Sequence, residues 1–171
     1  MSMIYQQAVT QPKKMLNNLK NFLNEAAEVA ESKSFERDNF LQIRLAPDQF
    51  NLLRQIQTTC DTAKLTAARL AGVEAPSHPD TETTWDELLT RIQSVIDYLD
   101  TLEEAQFEDA ETRWIELPFM KGKKVAGLDY MIEFGTPNLY FHITSAYAIL
   151  RSNGVKLGKI PFIGSMNMVD A

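Results

Sequence analysis

Apolar positions recur at helical spacing in four stretches of the chain, and the polar stretches between them read as connections. In the first, Leu16, Leu19, Leu23, Ala26 and Ala30 step by three or four residues, which places them on one helix face. Pro12 stands upstream, where it is expected to start a turn or kink an earlier helical piece near Ile4–Gln11. The polar run "ESKSFERDNF" (31–40) closes this helix.

In the second stretch, Leu53, Ile56, Cys60, Ala63, Ala67 and Leu70 step 3, 4, 3, 4, 3. Its later residues are small, so a neighbouring helix can approach closely there. "RLAPDQF" (44–50) is expected to open this helix, with Pro47 at its first position and Asp48 at the positive end of its dipole. Gly72 marks its end. "VEAPSHPDTET" (73–83), with two prolines, reads as a linker. Thr84 and Glu87 then have capping-box spacing ahead of Trp85, Leu88, Ile92, Val95, Leu99 and Leu102.

The period changes over 103–126. Two short strand-like runs, Trp114–Leu117 and Lys123–Val125, flank "MKGKK", which predicts a small hairpin or extended excursion. The last helical region starts near Leu128. "GTP" (135–137) is expected to break or kink it, and Asn153-Gly154 to end it, with an irregular tail over 155–171. Four amphipathic helices with connections of this length predict one all-α domain over 1–171, a four-helix bundle with a short insert between helices three and four. The fourth helix is apolar nearly all round. Such a helix needs cover on more than one face, from the insert or from a second subunit. That is the ground for expecting a homodimer.

Composition narrows the function classes. The 171 residues carry a formal charge of −6, and "KGKK" (121–124) is the densest basic run, which argues against a nucleic-acid partner. No stretch approaches a membrane span and the N-terminus has no apolar signal region. Cys60 is the sole cysteine, compatible with a reducing cytoplasm. A soluble, cytoplasmic protein is expected.

The histidines are two, His78 and His142. His78 lies in the linker. His142 lies in "PNLYFHITSAYAILRSNG" (137–154), nearly all apolar up to Arg151. A histidine there can serve as a ligand or a general base; equally, it can sit at the core edge bonded to a carboxylate or carbonyl. Asp61 and Lys64, three residues apart, form either a helix-surface ion pair or, through Asp61, a partner for His142. Cys60 reads as a small core residue, or as a nucleophile if His142 faces it. Tyr140, Phe141 and Tyr147 read as packing or dimer contacts.

The blocks "RLAPDQF", "RQIQTTCDTAKLTAARLAGVE", "PNLYFHITSAYAILRSNGVKLGK" and the closing "FIG" resemble a bacterial family of unknown function in the DinB/YfiT-like superfamily of four-helix bundles. The resemblance covers nearly the whole chain. It implies a bundle of that kind, often dimeric and often metal-dependent, some members transferring low-molecular-weight thiols. The implied ligands are three histidines, one from the second helix and an HxxxH pair from the fourth. In that pattern the second histidine of the pair precedes Leu-Arg-x-x-Gly by eight residues, the position of His142 before "LRSNG". Asn138 stands where the first would be. No histidine occurs between 43 and 77; Asp61, with the better ligand chemistry, and Gln57, with the better wheel position, are the candidates there.

The resemblance therefore implies a zinc or nickel site of His142, Asp61 and Asn138, in a pocket lined by Gln57, Lys64, Cys60 and Tyr140. It assigns no reaction. The alternative is a non-catalytic dimeric bundle that has lost the metal and binds a small molecule or only its own copy.

Overall fold

The structure, a computed structural model, describes residues 2–169. Met1 and the last two residues of the tail, Asp170 and Ala171, lie outside them. Four long helices form the body: α1 (Gln11–Ser32), α2 (Leu52–Ala71), α3 (Trp85–Asp100) and α4 (Thr136–Ser152). A hairpin of β1 (Trp114–Glu116) and β2 (Lys124–Ala126) lies between α3 and α4, and a short α5 (Lys159–Ile163) follows. The chain is an all-α bundle with a hairpin insert, as the periodicity predicts. No helix among the described residues is long and apolar enough to cross a membrane.

Around the bundle the neighbours run α1, α3, α2, α4, so α2 packs most extensively on α4 and then on α3. Side-chain pairs set the directions. Lys13–Asp100 and Lys20–Gln93 make α1 and α3 antiparallel. Gln11–Tyr140 and Phe22–Tyr147 make α1 and α4 parallel. Long connections are what such an order requires. The core lies where the four stripes meet: Leu16, Leu19 and Phe22 of α1, Ile56 and Cys60 of α2, Leu88, Ile92 and Val95 of α3, and Ile143 and Ile149 of α4 are all fully buried. Each large apolar side chain removed from water contributes about 1.5–3 kcal/mol.

Caps define the helix ends. The Thr84 hydroxyl accepts from Glu87 N–H while the Glu87 carboxylate accepts from Thr84 N–H, the capping box the spacing predicts for α3. Gly72, at φ 72°, closes α2. The start of α2 differs from expectation. Pro47 and Asp48 lie in a turn; the helix begins at Leu52 because the Asn51 side chain accepts from Arg54 N–H at 3.0 Å and Leu52 N–H donates back to Ile43 O at 2.9 Å.

Both proline-containing breaks are also absorbed. A turn at Met3–Tyr5 and a π turn at Gln6–Thr10 lead into α1, and a turn at Gly127–Tyr130 and a π turn at Met131–Gly135 lead into α4, neither with a gap. Each π turn precedes a proline second in the next helix, Pro12 or Pro137. The wider turn relieves the clash between a proline ring and the carbonyl before it.

The hairpin pairs Trp114 with Ala126, Ile115 with Val125 and Glu116 with Lys124. Ile115 points into the core, while Lys124 Nζ covers the exposed Trp114 ring at 5.0 Å from its centroid. The tail is more ordered than its composition suggests. Phe162 of α5 stacks on Phe22, Asn18 Nδ2 donates to Phe162 O at 2.9 Å, and Gly164 turns at φ 73° beside Asn18. "FIG" is thus the segment that docks the tail on α1.

Candidate functional site

The α2–α4 contact is a polar seam inside an apolar bundle. Gln55, Thr59, Thr62 and Thr66 recur at spacings of 4, 3 and 4 along α2, and all are buried. Opposite them, Asn138 Nδ2 donates to Thr62 Oγ1 at 2.8 Å, and His142 Nδ1 lies 2.8 Å from Gln55 Oε1. Further along, the Tyr130 hydroxyl accepts from Arg69 at 3.0 Å and lies 3.4 Å from Thr66 Oγ1. α2 and α4 are antiparallel along this seam.

The hydrogen bonds assign the His142 tautomer. Gln55 Nε2 donates to Phe50 O at 3.3 Å, a carbonyl that can only accept. Gln55 therefore turns its oxygen to His142, and the imidazole carries its proton on Nδ1. His142 Nε2, with no hydrogen bond among the described residues, keeps its lone pair. The ring lies between Phe50, stacked at 6.2 Å, and Phe141, edge-on at 5.1 Å. Burial, helped by the Arg54 charge, lowers the His142 pKa from its ordinary 6.5. The neutral imidazole is favoured.

Neither Asp61 nor Gln57 faces this ring. Asp61 Oδ1 is shared by Lys64 Nζ at 3.0 Å and Arg91 at 2.9 Å, on the α3 side of α2. The Asp61–Lys64 pair is no mere surface pair, because Lys64 is buried and Arg91 joins it. Gln57 donates to Glu82 at 2.9 Å and accepts from Arg54. Tyr140 points to α1, accepting from Gln11 Nε2 at 2.7 Å. Cys60 lies at full burial, which pushes its thiol up to about 12, with the charges of Arg91, Asp61, Glu82 and Lys64 as the lesser influences. At that value the thiol stays protonated and unreactive.

The residues read from the sequence as one site thus divide between two faces of α2. His142 and Asn138 belong to the α4 seam. Asp61, Lys64 and Gln57 belong to a charged cluster centred on Arg91, whose side chain is 1% exposed. Arg91 binds Asp61 at 2.9 Å, Asp80 at 3.0 Å and Glu82 at 2.9 and 3.0 Å; its Nε has no partner among the described residues. Arg54 pairs with Asp80 as well. Against the upward push of burial, Arg54 and then Arg91 hold Asp80 below the usual carboxylate range, and Gln57 and Arg91 do the same for Glu82. His78, set aside by its place in the linker, is drawn in: Nδ1 lies 3.0 Å from Lys64 Nζ and Nε2 lies 2.8 Å from Ser94 Oγ.

The metal that the superfamily implies does not fit these donors. Zinc and nickel favour imidazole, thiolate or carboxylate. On the seam only His142 qualifies, through its Nε2, and its neighbours are neutral amides and hydroxyls bonded to one another. Among the described residues no group of three or more His, Cys, Asp or Glu is placed to hold a metal ion.

Residues 4–163 match the family model described as a domain of unknown function, DUF1993. The crystal structure of a DinB family member protein from Shewanella denitrificans is similar to this chain at 48% identity and a TM-score of 0.96, covering 99% of this chain and 96% of that one. No curated protein matches.

Proposed function

The chain belongs to the DUF1993 family, whose function is unknown, and we propose that it is a DinB-like binding bundle that works without a resident metal. One observation carries the reading. The seam offers one ligand of the right kind, His142 Nε2, among the neutral groups of Asn138, Thr62 and Gln55, while Asp61 is held on the other face of α2 by Arg91 and Lys64. Turning Asp61 toward His142 would strip Arg91 and Lys64, both buried, of a carboxylate, which is costly. Apolar side chains are exposed around the seam. Phe141 is 57% and Ile132 56% exposed near α4, and Phe50 is 48% exposed over His142. We assign this face to a second copy of the chain, in the cytoplasm, where a single buried thiol is at home.

Elemental analysis of protein purified without an affinity tag tests the metal claim. Substoichiometric zinc and nickel, unchanged after dialysis against either ion, is the expected result. Stoichiometric metal that is lost in His142→Ala overturns it. Light scattering at micromolar concentration tests the pairing: a dimer is expected, and a monomer removes self-association.

A further inference from the structure

The segment 73–83 crosses from α2 to α3 as a strap, and its chemistry admits only a neutral His78. Lys64 Nζ lies 3.0 Å from His78 Nδ1. An ammonium can only donate, so Nδ1 must offer a lone pair. The ring proton then sits on Nε2 and donates to Ser94 Oγ at 2.8 Å. Imidazolium has no lone pair to offer Lys64. The groups facing the ring are Lys64 and Asp61 from α2, Arg91 from α3 and Glu82 from the strap itself. Burial, Lys64 and Arg91 disfavour the imidazolium; Asp61 and Glu82 favour it less strongly. Both carboxylates are already engaged, Asp61 by Lys64 and Arg91, Glu82 by Arg91 and Gln57.

We propose that the strap is an acid-released latch: a proton on His78 turns its bond to Lys64 into a contact between like charges, and residues 74–79 lift from α2 and α3 while Asp80 and Glu82 stay anchored on Arg91. Two further observations support this. Apart from the turn bond from Thr81 N–H to Pro79 O, residues 74–81 make no backbone hydrogen bond among the described residues, so their seating rests on side chains. A cavity of about 420 Å³ already lies between the strap and α3, lined by His78, Thr81, Glu82, Thr90, Arg91 and Ser94; lifting the strap opens it into a groove. The anchor survives the acid step, because Asp80 and Glu82 are held below the usual carboxylate range and stay charged near pH 5. His142 is on the opposite face of α2 and does not touch the strap.

Backbone ¹⁵N relaxation of the full chain tests the latch. At pH 7.5 the heteronuclear NOE values of 74–81 should match those of α3, and long-range ¹H–¹⁵N spectra should show the His78 proton on Nε2. At pH 5.0 the NOE values should collapse over 74–79 while α3 keeps its own. Lys64→Met retains His78 but removes the opposing cation, so its strap should stay ordered at pH 5.0. His78→Gln, which cannot titrate, should show no difference between the two pH values. A wild-type strap that is mobile at pH 7.5, one that stays ordered at pH 5.0, or one that loosens equally in Lys64→Met overturns the proposal.

Discussion

Replacing Gln55 with leucine isolates the His142 bond with little change in volume. Gln55 is fully buried and makes two side-chain hydrogen bonds, one from His142 Nδ1–H at 2.8 Å and one to Phe50 O at 3.3 Å. Phe50 is half exposed, so water can take over its carbonyl. Nothing replaces the acceptor for His142 Nδ1–H. Leaving one buried polar group unsatisfied costs about 1–3 kcal/mol, and a loss of about 2 kcal/mol lowers Tm by about 4–8 °C for a chain of this size. The imidazole has one escape, moving its proton to Nε2, which leaves a bare Nδ1 in the core at a similar cost. Urea denaturation should therefore show the loss of stability, and long-range ¹H–¹⁵N spectra should show His142 changing from the Nδ1–H to the Nε2–H tautomer. Gln55→Glu separates charge from packing. A carboxylate there favours the imidazolium and should move the His142 pKa above its ordinary 6.5 instead of below it. Stability from that pair would be present below pH 6.5 and lost as pH rises through the new value, the reverse of the wild type. Gln55→Leu with unchanged stability and an unchanged tautomer would refute the hydrogen-bond assignment.

Arg91→Met removes one cation from three carboxylates. Asp61, Asp80 and Glu82 are partly exposed and keep Lys64, Arg54 and Gln57 as partners, so the loss should fall at the lower end of the buried-pair range, about 3 kcal/mol; a urea-measured change under about 1 kcal/mol contradicts the account. Gly127→Ala places a Cβ 1.9 Å from Ala110 O, a backbone atom. The seat of the hairpin must shift, at about 3 kcal/mol, and a thermal melt equal to wild type would contradict that packing. Both histidines have lowered pKa values, so their contribution to stability is complete above pH 6.5 and is lost as pH falls through the folded values. A second fall follows as Asp80 and Glu82 protonate below their ordinary 3.8 and 4.5. Urea midpoints from pH 8 to pH 3 should show both steps, and a single step confined to the carboxylate range contradicts the histidine assignments.

Periodicity made the helices legible, and a local motif made the start of α3 legible, because both are written within a few residues. The site was less so. Gln55, Thr59, Thr62 and Thr66 form a stripe as regular as the apolar one, yet buried polar residues carry no sign of which helix will meet them. Asp61 drew attention through its chemistry and Gln57 through its wheel position, and tertiary packing turned both toward α3 and the strap. Arg91 did leave a trace: it stands three residues after Leu88 and four before Val95, within the apolar stripe of α3. A charge in that place signals a buried ion pair. Its partners Asp80 and Glu82 lie in a proline-containing connection without periodicity, so the contact between strap and helix had no local signature.

The π turn before α4 explains why Tyr130 could not be read as part of the seam. An α-helix advances about 100° per residue, so eight residues from Tyr130 to Asn138 would leave the two about 80° apart. A π turn acts as one inserted residue. The effective separation becomes seven, about 700°, which returns Asn138 to within about 20° of Tyr130. His142, one α-helical turn further, follows on the same side. Three polar contacts on α2, at Thr66, Thr62 and Gln55, are thereby met by one face of one unbroken helix. A regular α-helix through Met131–Gly135 would turn Tyr130 off the seam and separate it from Arg69 and Thr66. Gly135, inside the π turn, also lets α4 approach Thr66, whose methyl group would lie 2.8 Å from an added Cβ. The "GTP" sequence read as a break is therefore what keeps the two halves of the helix in phase against α2. Side-chain contacts at Thr66, Thr62 and Gln55 thus set the register between α2 and α4.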